Sequence, residues 1–158
     1  MFRPMRRARQ ALSRQECIKI LKEEPRGVLS LIGEEGYPYG MPMNHWYCEA
    51  DDRLYFHGAK AGHKLDALLA CDKASFCVYD KGFREEGAWP LHIKSVIVFG
   101  RMRFVEDDEK ALWICRELAH KFTDDEAYIA DEIQRSLRHV LCLELIPEHM
   151  SGKRVKES

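Results

Sequence analysis

The chain has no apolar run near the ~20 residues that a membrane-crossing helix needs. No apolar stretch follows its basic start, Met1–Arg9, so a secretion signal is not expected. It also lacks an excess of either charge. Charged residues are 32% of the sequence, yet the net charge is −1, which excludes the strongly basic surface of a general nucleic-acid or anionic-membrane binder. Cys17, Cys48, Cys71, Cys77, Cys115 and Cys142 contain no Cys-x-x-Cys pair, and neither they nor the seven histidines stand at a familiar metal spacing. The thiols are therefore expected reduced, as small core residues, with no metal. There is no G-x-S-x-G elbow, no His-Glu-x-x-His helix and no G-x-G-x-x-G turn. Gly58–Lys64 differs from a P-loop, because His63 separates Gly62 from Lys64 and Leu65 stands where a magnesium-binding Ser or Thr belongs. These absences describe a cytoplasmic protein with neither nucleic-acid nor membrane partners.

What is present fits one domain over residues 1–158, with a basic arm at 1–12 and a C-terminal tail at 148–158. The arm carries Arg3, Arg6, Arg7 and Arg9 and reads as solvated and mobile. Ser13-x-x-Glu16 is a capping box, and Cys17, Ile18 and Leu21 give the apolar face of the helix that it opens, which Pro25 stops. Gly27–Ile32 and Tyr37–Tyr47 then read as a hairpin around Gly33–Gly36. Tyr37, Tyr39, Met41, Met43, His45 and Tyr47 share one face, and Gly40, Asn44 and Trp46 the other. Pro38 and Pro42 cannot donate ladder hydrogen bonds, which makes this an edge or bulged strand.

Arg53–His57 is a third strand, Leu65, Leu68 and Leu69 mark a short helix, and Ala74–Tyr79 is a fourth strand. Ser95–Val105 is a long fifth strand, with Gly100 expected to be a bulge or a point of close approach. Leu112, Cys115, Leu118, Ala119 and Phe122 form one helical stripe, and Ile129, Ile133 and Leu137 another. Asp107–Glu109 and Asp124–Glu126 open these helices as caps and dipole partners rather than as paired catalytic carboxylates. Val140–Ile146 closes the fold as a sixth strand, ended by Pro147. This order predicts a mainly β protein, a six-stranded antiparallel barrel with helices outside.

One segment points to chemistry. A strand ends at Phe56-His57, a Gly/Ala loop follows, and His63 and Lys64 fall at the start of the next helix. Free helical N–H groups, the positive end of the dipole and a lysine would favour an anion there. The same residues also suit a plain strand-to-helix loop with solvated charges.

Phe56-His57-Gly58-Ala59-Lys60-Ala61-Gly62-His63-Lys64-Leu65-Asp66 resembles the FMN-phosphate segment of the pyridoxamine-phosphate-oxidase-like split-barrel family. His at the first place of the basic pair resembles its nitroimidazole-resistance branch. Met5-Arg6-Arg7, Gly36–Asn44, Lys94–Gly100 and His149–Lys153 resemble further family segments in the same order. The resemblance implies FMN held by Met41, Pro42, Met43, Asn44, His57, Gly58, His63, Lys64, Ser95 and Val96. It also implies a homodimer with FMN at the interface, a small-molecule substrate such as a 5-nitroimidazole, and NAD(P)H or another electron donor. The basic and aromatic residues with which the oxidases proper hold pyridoxal phosphate are not found in Glu144–Ser158, so pyridoxamine oxidation is not implied. No catalytic side chain stands out. A haem-processing or deazaflavin-using enzyme, and a non-catalytic flavin or haem carrier, are the alternatives on the same fold.

Overall fold

The computed structural model describes residues 1–157. Helix α1 (Arg14–Glu23) begins at the expected capping box: Ser13 Oγ accepts from Glu16 N at 3.2 Å, and the Glu16 carboxylate accepts from Ser13 N at 2.9 Å. Strands β1 (Arg26–Ile32), β2 (Pro38–Asn44), β3 (Trp46–Cys48) and β4 (Arg53–Ala59) follow, then α2 (His63–Ala70), β5 (Lys73–Tyr79) and β6 (Leu91–Val105). Helices α3 (Asp108–His120) and α4 (Glu126–Ser136) precede the last strand, β7 (Val140–Glu157). Asp107 and Asp125 cap α3 and α4, each accepting from a backbone N–H three residues on.

The strands form one antiparallel sheet in the order β2-β1-β5-β6-β7-β4-β3. β2 and β3 are its two edges, yet only His45 separates them in the chain. The sheet must therefore curl until its edges meet, which makes a barrel with a seam at His45. This turns the expected six strands into seven. The second strand, read as Tyr37–Tyr47, breaks at His45 because its first part pairs with β1 and its last part with β4. The seam is tied from both sides. His45 is fully buried, and its Nε2 lies 2.7 Å from Leu21 O. Lys121 Nζ donates to His45 O at 2.6 Å and to Glu24 O at 2.8 Å.

Alternation along the strands builds the core. Leu29, Leu31, Met43, Leu54, Phe56, Phe76, Val78, Val96, Val98, Leu143 and Leu145 fill the barrel, with α1 and α2 closing it through Leu21 and Leu68. A second cluster (Tyr55, Val105, Ile114, Leu118, Cys142) lies outside the barrel, under α3. The apolar stripe of α3 is rotated from the expected one. Ile114 and Leu118 are buried, while Leu112 and Phe122 keep solvent contact.

Two terminal expectations are corrected. β7 does not stop at Pro147; it runs on to Glu157 against β6, so 148–157 is strand rather than tail. Gly100 faces Pro147 at a register shift, the expected bulge, and the missing N–H of Pro147 is absorbed there. The basic arm is also docked. Leu12 N donates to Gly152 O at 2.9 Å, and the Phe2 ring stacks on His149 at 4.8 Å. Among the described residues no helix is long and apolar enough to cross a membrane.

Candidate functional site

The site grows out of the seam. β3 pairs with β4 as Trp46↔Tyr55, Tyr47↔Leu54 and Cys48↔Arg53. Continued by two residues, that register would set Asn44 opposite His57, but there the strands have parted. Asn44 and His57 instead line one side of a cleft of about 220 Å³. Its other walls are Leu118, Ala119 and Phe122 from the end of α3 and Tyr128, Ile129 and Glu132 from α4.

Directly after His57 comes the segment singled out in the sequence. Gly58, next to last in β4, has its open face toward Lys64: a Cβ there would collide with Lys64 Nζ. Gly62 precedes α2 at φ 117°, a left-handed conformation that suits glycine. It brings no side-chain cap, so the N–H groups of His63 and Lys64 face outward without an intrahelical acceptor. Lys64 is half-buried and makes no ion pair among the described residues. Burial holds its pKa below the ordinary lysine value. His63 stacks on Tyr39 of β2 with ring centroids 4.0 Å apart, which fastens the start of α2 to the β1–β2 hairpin. The pKa of His57 is lowered by desolvation beside the cleft walls and, after that, by the Lys64 charge. Gly58, the two donors and an uncompensated ammonium thus form a cradle with the chemistry of an anion site.

The ten residues expected to hold a cofactor divide into three groups. Gly58, His63 and Lys64 come together at the start of α2, and the Lys64 charge reaches the His57 ring, which lines the cleft with Asn44. Pro42 and Ser95 lie on the outer face of the sheet. Met41, Met43 and Val96 turn inward: Met43 is 8% exposed and Val96 0%, both in the barrel core, so a ligand reaches them only through the main chain. Pro42, Val28, Cys77, Ile97 and Ser151 form a row across five strands. Pro42 and Ile97 are therefore three strand spacings apart, roughly 14 Å at about 4.8 Å each. Ser95, two residues from Ile97, does not belong to the Lys64 cluster within one chain. Among the described residues no helix covers this row, and Val28, Ile97, Phe99 and Tyr79 leave an apolar surface exposed there. Sequence reasoning placed Tyr39 on the ligand strand without its stack on His63. It also missed the contributions of α3 and α4 to the cleft, which depend on how the helices fold back.

A curled antiparallel sheet, split at one seam and flanked by helices, is the architecture of a split-barrel protein. The chain belongs to the pyridoxamine 5'-phosphate oxidase family, whose model matches residues 13–154. Its fold is similar to that of a proposed 5-nitroimidazole antibiotic resistance protein from Bacteroides thetaiotaomicron, at 20% identity and a TM-score of 0.78 over 93% of this chain and 87% of that one. A FAD-binding protein from Mesorhizobium loti matches at 23% identity and 0.65, covering 92% and 97%. A FAD and haem binding protein from Mycobacterium smegmatis matches at 21% and 0.73, covering 94% and 74%. At these identities the likeness is one of fold. No protein of curated function matches the chain.

Proposed function

We propose that the chain is a flavin-dependent oxidoreductase that binds FMN as a homodimer and reduces a nitroaromatic small molecule such as a 5-nitroimidazole. NAD(P)H or a similar donor would supply the electrons. The observation that carries this reading is the half-buried Lys64 ammonium, without a counter-ion, beside Gly58 and two free helical N–H groups. Such an arrangement suits an anion, and a phosphate monoester is one of matching charge and donor demand. Two of the proteins of similar fold bind FAD and a third is a proposed 5-nitroimidazole resistance protein, which supports the same reading.

The residues fit the group. Lys64 and the His63 and Lys64 N–H groups would take the phosphate, and Gly58 leaves room for the Lys64 ammonium. Asn44 and His57 would border the ring, with the main chain of Met41–Met43 beside them. Bound flavin supplies the redox chemistry, taking two electrons from a donor and passing them to an acceptor. The chain's own part is to hold the phosphate, orient the ring and exclude water. The uncovered row from Pro42 to Ser151 is suited to burial against a second copy, which would bring Ser95 and its neighbours toward the partner's ligand.

A second reading, a flavin or haem carrier without catalysis, is favoured by one observation. His57 has no hydrogen-bonded carboxylate to orient it for proton transfer among the described residues, and no other acid–base pair lines the cleft. Acceptor-dependent oxidation of NAD(P)H by the FMN-loaded protein, with metronidazole as the probe, separates the two. Turnover supports the enzyme, and a bound flavin that no donor reduces supports the carrier.

A further inference from the structure

The α3 wall of the cleft holds a pair of thiols that plays no part in the anion cradle. Cys115 Sγ on α3 lies 3.7 Å from Cys142 Sγ on β7. Cys115 lines the cleft, whereas Cys142 is 1% exposed behind it, in the cluster under α3. Cys142 is also the ladder partner of His57, so the thiols sit one strand from the residue that borders the opposite wall. Of the six cysteines, these are the only two in contact among the described residues.

We propose that Cys115 and Cys142 are a reversible oxidation site that closes to a disulfide when a small hydroperoxide enters the cleft. The geometry is already near the product. A disulfide needs sulfurs at about 2.05 Å, an approach of less than about 2 Å, within reach of side-chain rotation. The division of labour follows from the hydrogen bond. The Cys142 S–H faces Cys115 and the Ala111 carbonyl, 3.7 Å away. That bond lowers the Cys115 pKa and, with burial, raises that of Cys142. The half-buried sulfur that lines the cleft is thus the nucleophile and the fully buried one resolves. Burial raises Cys17, Cys48 and Cys77 instead.

The chemistry balances in two steps. The Cys115 thiolate attacks the terminal peroxide oxygen; the O–O bond breaks, and the leaving alkoxide or hydroxide takes up the proton that the thiol gave. Cys115 is then a sulfenic acid. The Cys142 sulfur attacks it, the S–S bond forms, the S–O bond breaks, and water leaves with the Cys142 proton. Two thiols lose two electrons and the hydroperoxide gains them, yielding a disulfide, an alcohol (or water) and water. The site does not depend on flavin being bound.

The test uses the full chain, reduced and then exposed to a few equivalents of hydrogen peroxide, with alkylation and peptide mapping at intervals. The expected product is lighter by two hydrogens, joins Cys115 to Cys142, keeps the other four thiols alkylatable and reverts with dithiothreitol. In Cys142→Ser, Cys115 should halt at the sulfenic acid and be trapped by dimedone. In Cys115→Ser, oxidation of Cys142 should slow at least about tenfold, because the buried thiol ionises poorly. First oxidation at Cys71 or Cys77 in the unmutated chain, or modification of Cys115 without the cross-link, would overturn the proposal. The mapping of the unmutated chain decides it even if a variant fails to fold.

Discussion

Replacing Lys64 by methionine should do two opposite things. The ammonium is half-buried, has no counter-ion among the described residues, and its pKa is held below the usual lysine value by burial. Folding without ligand therefore costs charge solvation that methionine would not. Because the folded pKa lies below the unfolded one, the unfolded chain binds more protons between the two. Stability then rises with pH across that interval, up to the ordinary lysine value near about 10.4. Lys64→Met should be more stable than the parent at pH 7, and this alkaline rise should flatten. Its effect on FMN should be the reverse. A charge-assisted hydrogen bond to phosphate contributes about 1.5–3 kcal/mol, so the substitution should weaken FMN binding roughly tenfold to a hundredfold. Riboflavin, which has no phosphate, should bind both proteins alike. Lys60→Ala, an exposed lysine in the same loop, is the control. The assays are urea unfolding at several pH values and fluorescence titration with both flavins. If Lys64→Met binds FMN as tightly as the parent, or loses both flavins equally, the lysine does not anchor a phosphate and the loop is only a connection.

Gly58→Ala should also lower FMN affinity while leaving riboflavin unchanged, because the new methyl would occupy the place of Lys64 Nζ and displace the flexible lysine. In sedimentation the protein should be a dimer at micromolar concentration, and Ile97→Lys, in the middle of the uncovered row, should give monomers; a stable dimer in that variant would place the interface elsewhere. The pKa of His45 is pushed down to about 3 by burial and, after that, by Lys121. The unfolded chain thus takes up a proton that the native one refuses. Stability should fall as pH drops below about 6.5, by up to roughly 1.4 kcal/mol per pH unit from this residue. His45→Gln should reduce that slope between pH 6.5 and 5, and parallel curves for the two proteins would contradict the assignment.

Much of this architecture was legible because its signals are local. The Ser13–Glu16 capping box, the aspartates at α3 and α4, the edge strand with two prolines and the Gly100 bulge each depend on the chemistry of a few neighbouring residues. The break at His45 was not, because side-chain alternation continues through it unchanged; only the partner changes, from β1 to β4. Strand β7 past Pro147 was hidden for a similar reason. A proline ordinarily ends a strand, and this one is tolerated because Gly100 opposite it opens a bulge. In the candidate site, His57 through Lys64 could be found because the cradle is one continuous segment. Met43 and Val96 share strands with ligand-facing residues but point inward, a distinction that requires knowing which face is the core. The Cys115–Cys142 pair joins a helix to a strand across 27 positions, and no local pattern announces it.

On the proposed reading, the cradle at the start of α2 holds the phosphate of a flavin. Its most direct test is equilibrium binding of FMN to the purified protein, followed by absorption spectroscopy and by sedimentation of the loaded sample. The expected result is the two visible bands of bound flavin, one FMN per protomer, and competition by inorganic phosphate that is lost in Lys64→Met. A protein that takes up no FMN at tens of micromolar, or that instead yields a Soret band from haem with the cradle unused, would contradict it.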